Sequence, residues 1–156
     1  MQNTHQKTLK TVQLAILVAL VVVLQLVGSN VRIGPVSVSL VLIPIAVGGV
    51  LLGPSAGAVL GAVFGLITVI GGVSGADFFT NFLFSKQPVL TVVLCFAKAT
   101  LAGFCAGLVF RAVAGWNRWV AVFLASAAAP IVNTGIFVLG TVTLFRRTLE
   151  DYILLY

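Results

Sequence analysis

Residues 33–76 read IGPVSVSLVLIPIAVGGVLLGPSAGAVLGAVFGLITVIGGVSGA, 44 consecutive positions without a formal charge. Val, Leu, Ile, Ala and Gly dominate the stretch. A further 21 uncharged residues lie between Lys10 and Arg32, and 27 between Arg118 and Arg146. A domain in water cannot keep runs of this length dry. A helical bundle in a bilayer can, because lipid replaces water as the solvent for apolar side chains and each helix satisfies its own backbone. The fold class is therefore all-α, a polytopic transmembrane helical bundle.

Composition agrees. Of 156 residues 60% are hydrophobic, and the mean hydropathy is +1.21. Nine Lys and Arg face three acids, a net charge of +6. The basic residues sit at the ends of apolar runs, where headgroups and topology account for them. No basic cluster is interleaved with aromatics on a polar background, which sets nucleic acid aside. Cys95 and Cys105 lie inside an apolar run and read as small buried hydrophobes. Lys7 and Lys10 precede an apolar run as in a signal peptide, but the cleavage pattern is weak and more apolar segments follow, so a retained first helix is expected.

Punctuation by Gly, Pro and polar residues divides the chain. Residues 1–10 read as a cytoplasmic tail, 11–145 as a transmembrane substrate-binding domain of about five helices, and 146–156 as a polar connection. The helices are expected at about 11–27, 38–52, 54–70, 89–110 and 119–145. Between the first two, residues 31–39 read as an extended or re-entrant loop around Pro35, with Arg32 at the interface. The segment 71–88 is the most polar internal stretch and reads as an interfacial loop folded over a cavity. Trp116 and Trp119 are interface anchors by type, and Pro130 marks a kink or break. Positive charge is even between the two sides: Lys7, Lys10, Arg111 and Arg118 on one, Arg32, Lys86, Arg146 and Arg147 on the other. The first-helix lysines and the short basic loop favour an internal N-terminus.

Gly57, Gly61 and Gly65 line one face of the third helix, and Gly103 and Gly107 repeat the spacing in the fourth. Small residues at every fourth position let two backbones approach within lipid, so these five are expected to pack helices, with a sliding surface for a partner as the second reading. Ala15 and Ala19 form a similar pair in the first helix.

Lys98 is the sharpest polar feature, with Cys95, Phe96, Leu101 and Phe104 around it. An ammonium in hydrocarbon costs roughly 3 kcal/mol or more. Two readings stand: the stem snorkels to the interface, or the amine is the counter-charge for an anionic solute between helices. Asn133 and Thr134 follow Pro130, and the Asn133 amide either bonds across helices or holds substrate. Asp77, Asn81 and Gln87 either line a cavity mouth or belong to a solvated loop. Arg32 meets a carboxylate or a lipid phosphate. No paired acids, metal cluster, nucleophile elbow or phosphate-binding loop occurs, so neither an enzyme nor a cofactor is expected. Three scattered acids are too few for a proton relay, and a nucleotide, if used, must be bound by another subunit.

Taken in order, Ala15-xxx-Ala19, Leu40-Val-Leu-Ile-Pro44, Gly53-Pro-Ser-Ala-Gly57, the loop before Pro88, Lys98-xxxx-Gly103-xxx-Gly107 and Pro130-Ile-Val-Asn-Thr134-Gly135 resemble the substrate-binding S component of energy-coupling factor (ECF) vitamin transporters. The resemblance covers about residues 8–150. It implies a six-helix fold with cytoplasmic termini, multi-pass in a prokaryotic cell membrane. Such a subunit captures a small vitamin from outside and topples against a transmembrane coupling subunit carried by two ATP-binding subunits. The resemblance makes Ala15 and Ala19 the coupling-subunit interface. It points to Lys98, Asn133, Asn81, Gln87, Arg32, Asp77 and Lys86 as the substrate-binding set. It also implies a sixth helix after Asp151, which is expected to be missing. The subgroup most resembled takes pantothenate, folate or hydroxymethylpyrimidine. A basic residue near the cavity suits the carboxylate of pantothenate, and the small polar inventory suits a small ligand. A stand-alone secondary carrier or channel for a small anion, or a non-transporting assembly protein, are the alternatives.

Overall fold

The computed structural model describes residues 2–28, 32–33, 36–37, 40–144, 146, 150 and 153–154. Among them are helices α1 (Gln2–Gly28), α2 (Leu42–Leu52), α3 (Pro54–Val73), α4 (Phe78–Lys86), α5 (Pro88–Val113) and α6 (Arg118–Leu144). Two short strands, β1 (Arg32–Ile33) and β2 (Val36–Ser37), pair antiparallel before α2, with Arg32 opposite Ser37. Helices α1, α3, α5 and α6 are long and apolar enough to cross a membrane. At 1.5 Å per residue, α2 reaches only about 16 Å and α4 about 13 Å, so neither spans the bilayer alone.

The helices begin and end where local chemistry dictates. No Gly or Pro precedes Gly28, so nothing interrupts α1 from Gln2, and residues 2–10, read above as a tail, continue the helix. Thr8 and Thr11 donate their hydroxyls to the carbonyls of Thr4 and Lys7, each 3.0 Å away. Gly53 breaks α2 from α3 with φ 101°, a conformation that L side chains rarely adopt, and Pro54 restarts the helix at its first position. Asn117 opens α6 by accepting, through Oδ1, the backbone N–H groups of Trp119 (3.0 Å) and Val120 (3.4 Å). Pro130 lies inside α6, which continues through it.

The segment 71–88 departs from the expected loop: α3 runs on to Val73, one turn follows, and α4 occupies Phe78–Lys86 with only Gln87 before α5. Leu83 is fully buried and packs with Leu94, Phe79, Leu90, Ile136 and Phe137. That tertiary anchor holds nine residues helical despite their mixed polar and aromatic pattern.

Helices α3 and α5 run antiparallel with their backbones in contact. A Cβ added at Gly57 would strike the Gly103 carbonyl, one at Gly61 the Ala99 carbonyl, and one at Gly107 would lie 2.5 Å from Pro54 Cα. At Gly65 the added atom would come within 3.0 Å of the Cys95 carbonyl. The seam therefore admits no side chain over much of its length. A core of Val21, Val41, Ile45, Leu60, Phe64 and Ala99 joins α1, α2, α3 and α5. Ala46, Ala106 and Ala129 bring α2, α5 and α6 together. The bundle has two ends: one carries Lys10, the Gly53 turn and the turn between α5 and α6, and the other carries Asp77, α4 and the start of α5.

Candidate functional site

Lys98 is the tenth residue after Pro88, about 15 Å along the α5 axis from its start. It is only 8% exposed. Its Nζ lies 3.8 Å from the centroid of the Phe137 ring on α6, inside the bundle and not at the lipid face. Among the described residues the ammonium has no hydrogen-bond or ion-pair partner, so the face of an aromatic ring substitutes for water. The edge of this assembly is closed by Phe79 of α4, whose ring meets Phe137 at 5.8 Å and 70°. One ring thus links the amine on α5 to the short helix above it.

Asn133 lies one turn before Phe137 on α6 and is also 8% exposed. Its Oδ1 is enclosed and has no hydrogen-bond partner among the described residues. A buried amide in this state costs about 1–3 kcal/mol relative to a satisfied one. Lys98 touches Phe137 across α5 and α6, and Asn133 lies one turn along α6 from that ring: a cation, an apolar face and an unsatisfied amide. Such a group suits a small anion that carries an apolar portion and a hydrogen-bonding one.

The other expected residues fall elsewhere. Asp77 precedes α4, and its Oδ2 accepts the Thr80 hydroxyl at 2.6 Å. It also lines a cleft of about 120 Å³ with Gln25, Thr68 and Ser74 between α1 and α3. Asn81 uses its amide structurally, donating Nδ2 to the Gly72 carbonyl at 2.7 Å and pinning α4 to the end of α3. Lys86 and Gln87 are exposed at the junction of α4 and α5. The Gln87 carbonyl accepts both the backbone N–H (3.1 Å) and the hydroxyl (2.9 Å) of Thr91. The backbone of Arg32 belongs to β1, and its side chain lies outside the described residues; after Asp151 only Ile153 and Leu154 are described, both helical.

Sequence reasoning passed over Phe137 and Phe79 as site residues. The available signal was the spacing of Phe137, four residues after Asn133 and hence on the same face of α6. Ala15 and Ala19 are both exposed on α1. They lie off the face whose Leu14, Leu17, Val18 and Val21 meet the core.

The family model for the substrate-specific component of ECF transporters matches residues 9–153. No curated protein and no solved structure matches the chain. The family match covers nearly the whole sequence, and the chain belongs to that family. It is a multi-pass membrane protein of a transport family, and its role is that of a substrate-binding subunit.

Proposed function

We propose that this chain captures pantothenate, or another small water-soluble vitamin or precursor bearing a carboxylate, for an ATP-driven ECF importer of a prokaryotic cell membrane. Lys98 carries the proposal. An ammonium 8% exposed, lying on the Phe137 ring, is a buried positive charge short of a counter-ion. The substrate carboxylate supplies that counter-ion, the Asn133 amide meets a hydroxyl or amide of the ligand, and Phe137 covers its apolar part. Asp77, Asn81, Lys86, Gln87 and Arg32 serve the mouth of the site. Energy comes from two ATP-binding subunits through a transmembrane coupling subunit, which docks on the Ala15 and Ala19 face. Glycines 57, 61, 65, 103 and 107 act as the packing seam that keeps the bundle rigid as it moves.

Reconstitution tests the transport half of this reading. Vesicles holding the chain, a coupling subunit and both ATP-binding subunits should accumulate radiolabelled pantothenate only with internal ATP. Accumulation by vesicles holding the chain alone would overturn it in favour of a stand-alone carrier.

A further inference from the structure

At the Lys10 end a cleft of about 240 Å³ opens between α1 and the turn joining α2 to α3. Lys10, Thr11 and Ser55 form its polar rim, and Leu14, Leu52 and Val59 are among its apolar lining. The Thr11 hydroxyl is committed to the Lys7 carbonyl, which leaves the Lys10 ammonium and the Ser55 hydroxyl as the rim's donors. Both residues are exposed, so a ligand reaches them from the bilayer.

The surroundings fix the sign and depth of what fits. Lys7, Arg111 and Arg118 belong to the same end, and no Asp or Glu occurs in residues 1–76 or 78–149. Trp116 and Trp119, 89% and 86% exposed, sit at the turn between α5 and α6 on this end and mark the headgroup level. The cleft is therefore amphipathic along the membrane normal, cationic at headgroup depth and apolar toward the bilayer core. It also lies off the Ala15 and Ala19 face of α1, because Leu14 turns toward it while those alanines do not.

We infer that this cleft is a binding site for one anionic phospholipid. The lipid phosphate meets Lys10 and Ser55, and an acyl chain runs along Leu14, Leu52 and Val59. A zwitterionic headgroup fits worse, because its own cation would face the Lys10 ammonium at the rim. One basic residue near an anionic membrane surface favours binding by about fivefold.

Native mass spectrometry of the full chain in detergent tests the site, with phosphatidylglycerol and phosphatidylcholine of matched chains as probes. One phosphatidylglycerol should be retained about fivefold over phosphatidylcholine. The preference should vanish in Lys10→Gln, with an unchanged thermal midpoint, and persist in Lys7→Gln, whose residue lies outside the cleft lining. Excess glycerol 3-phosphate should not displace the lipid, because the apolar lining needs the chain. Equal retention of the two lipids, a preference that survives Lys10→Gln, or equal loss in Lys7→Gln would each overturn the assignment. Displacement by glycerol 3-phosphate would do the same by marking a plain phosphate site.

Discussion

The Lys98 amine lies where neither water nor lipid serves it. Burial of such a charge costs roughly 3 kcal/mol or more, and a desolvated cation on an aromatic face recovers about 2 kcal/mol. The shortfall is of the size that a charge-assisted bond to a carboxylate supplies, about 1.5–3 kcal/mol. Asn133 shows the same tension in neutral form, a buried acceptor held without a donor. Replacing it with an apolar residue of similar size should relieve that cost. Asn133→Leu is expected to raise the thermal midpoint in detergent by about 2–4 °C while weakening pantothenate binding about tenfold, roughly one hydrogen bond. Differential scanning fluorimetry beside calorimetry checks this, and a lower midpoint with unchanged affinity would contradict it. Lys98 and Asn133 were legible in the sequence because a charge and an amide stand out against aliphatic neighbours. Phe137 was not, because a phenylalanine in an apolar helix has no contrast. Only its contact with Nζ singles it out.

At the scale of elements, two devices shape the bundle. One is the seam between α3 and α5, where glycines replace side chains with backbone contact. Gly61→Ala should force the Ala99 backbone away and destabilise by about 1–3 kcal/mol. Gly71→Ala, at a position with open space, should leave the thermal midpoint close to wild type. Equal melting of the two variants would mean that the seam does not hold the helices. The four-residue glycine spacing was readable because lipid offers no hydrophobic drive between helices, so close approach must be written into small residues. The other device is α4, tied by the Thr80 bond to Asp77 and the Asn81 bond to Gly72. Its polar and aromatic mixture resembles a loop, and the helix rests on tertiary packing of Leu83, which local pattern does not reveal. Leu83→Ala should cost about 2–5 kcal/mol of local packing and speed amide exchange across residues 78–86. Unchanged exchange there would show that α4 is held by its ends alone.

For the whole molecule, the family and the bundle agree on a substrate-binding membrane subunit. Most of that architecture follows from the uncharged runs, because long unbroken apolar stretches cross a bilayer as helices, whereas barrel strands alternate apolar and polar residues. The two ends follow from the same runs, since Lys7, Lys10, Arg111 and Arg118 flank the helices on one side and Lys86 on the other; the even charge count bears only on which end faces inward. Bulky residues on the exposed face of α1 should separate docking from capture. Ala15→Leu with Ala19→Leu is expected to abolish co-purification of the coupling subunit and leave pantothenate binding intact. Loss of both together would mean that the pair supports the fold instead. Capture itself is tested most directly by isothermal calorimetry on the detergent-purified chain, titrating pantothenate, folate and hydroxymethylpyrimidine into wild type and Lys98→Ala. Binding of pantothenate in preference to the other two, weakened at least about tenfold in Lys98→Ala, is the expected result. No pantothenate binding by a folded wild-type sample, or binding indifferent to Lys98→Ala, would contradict it.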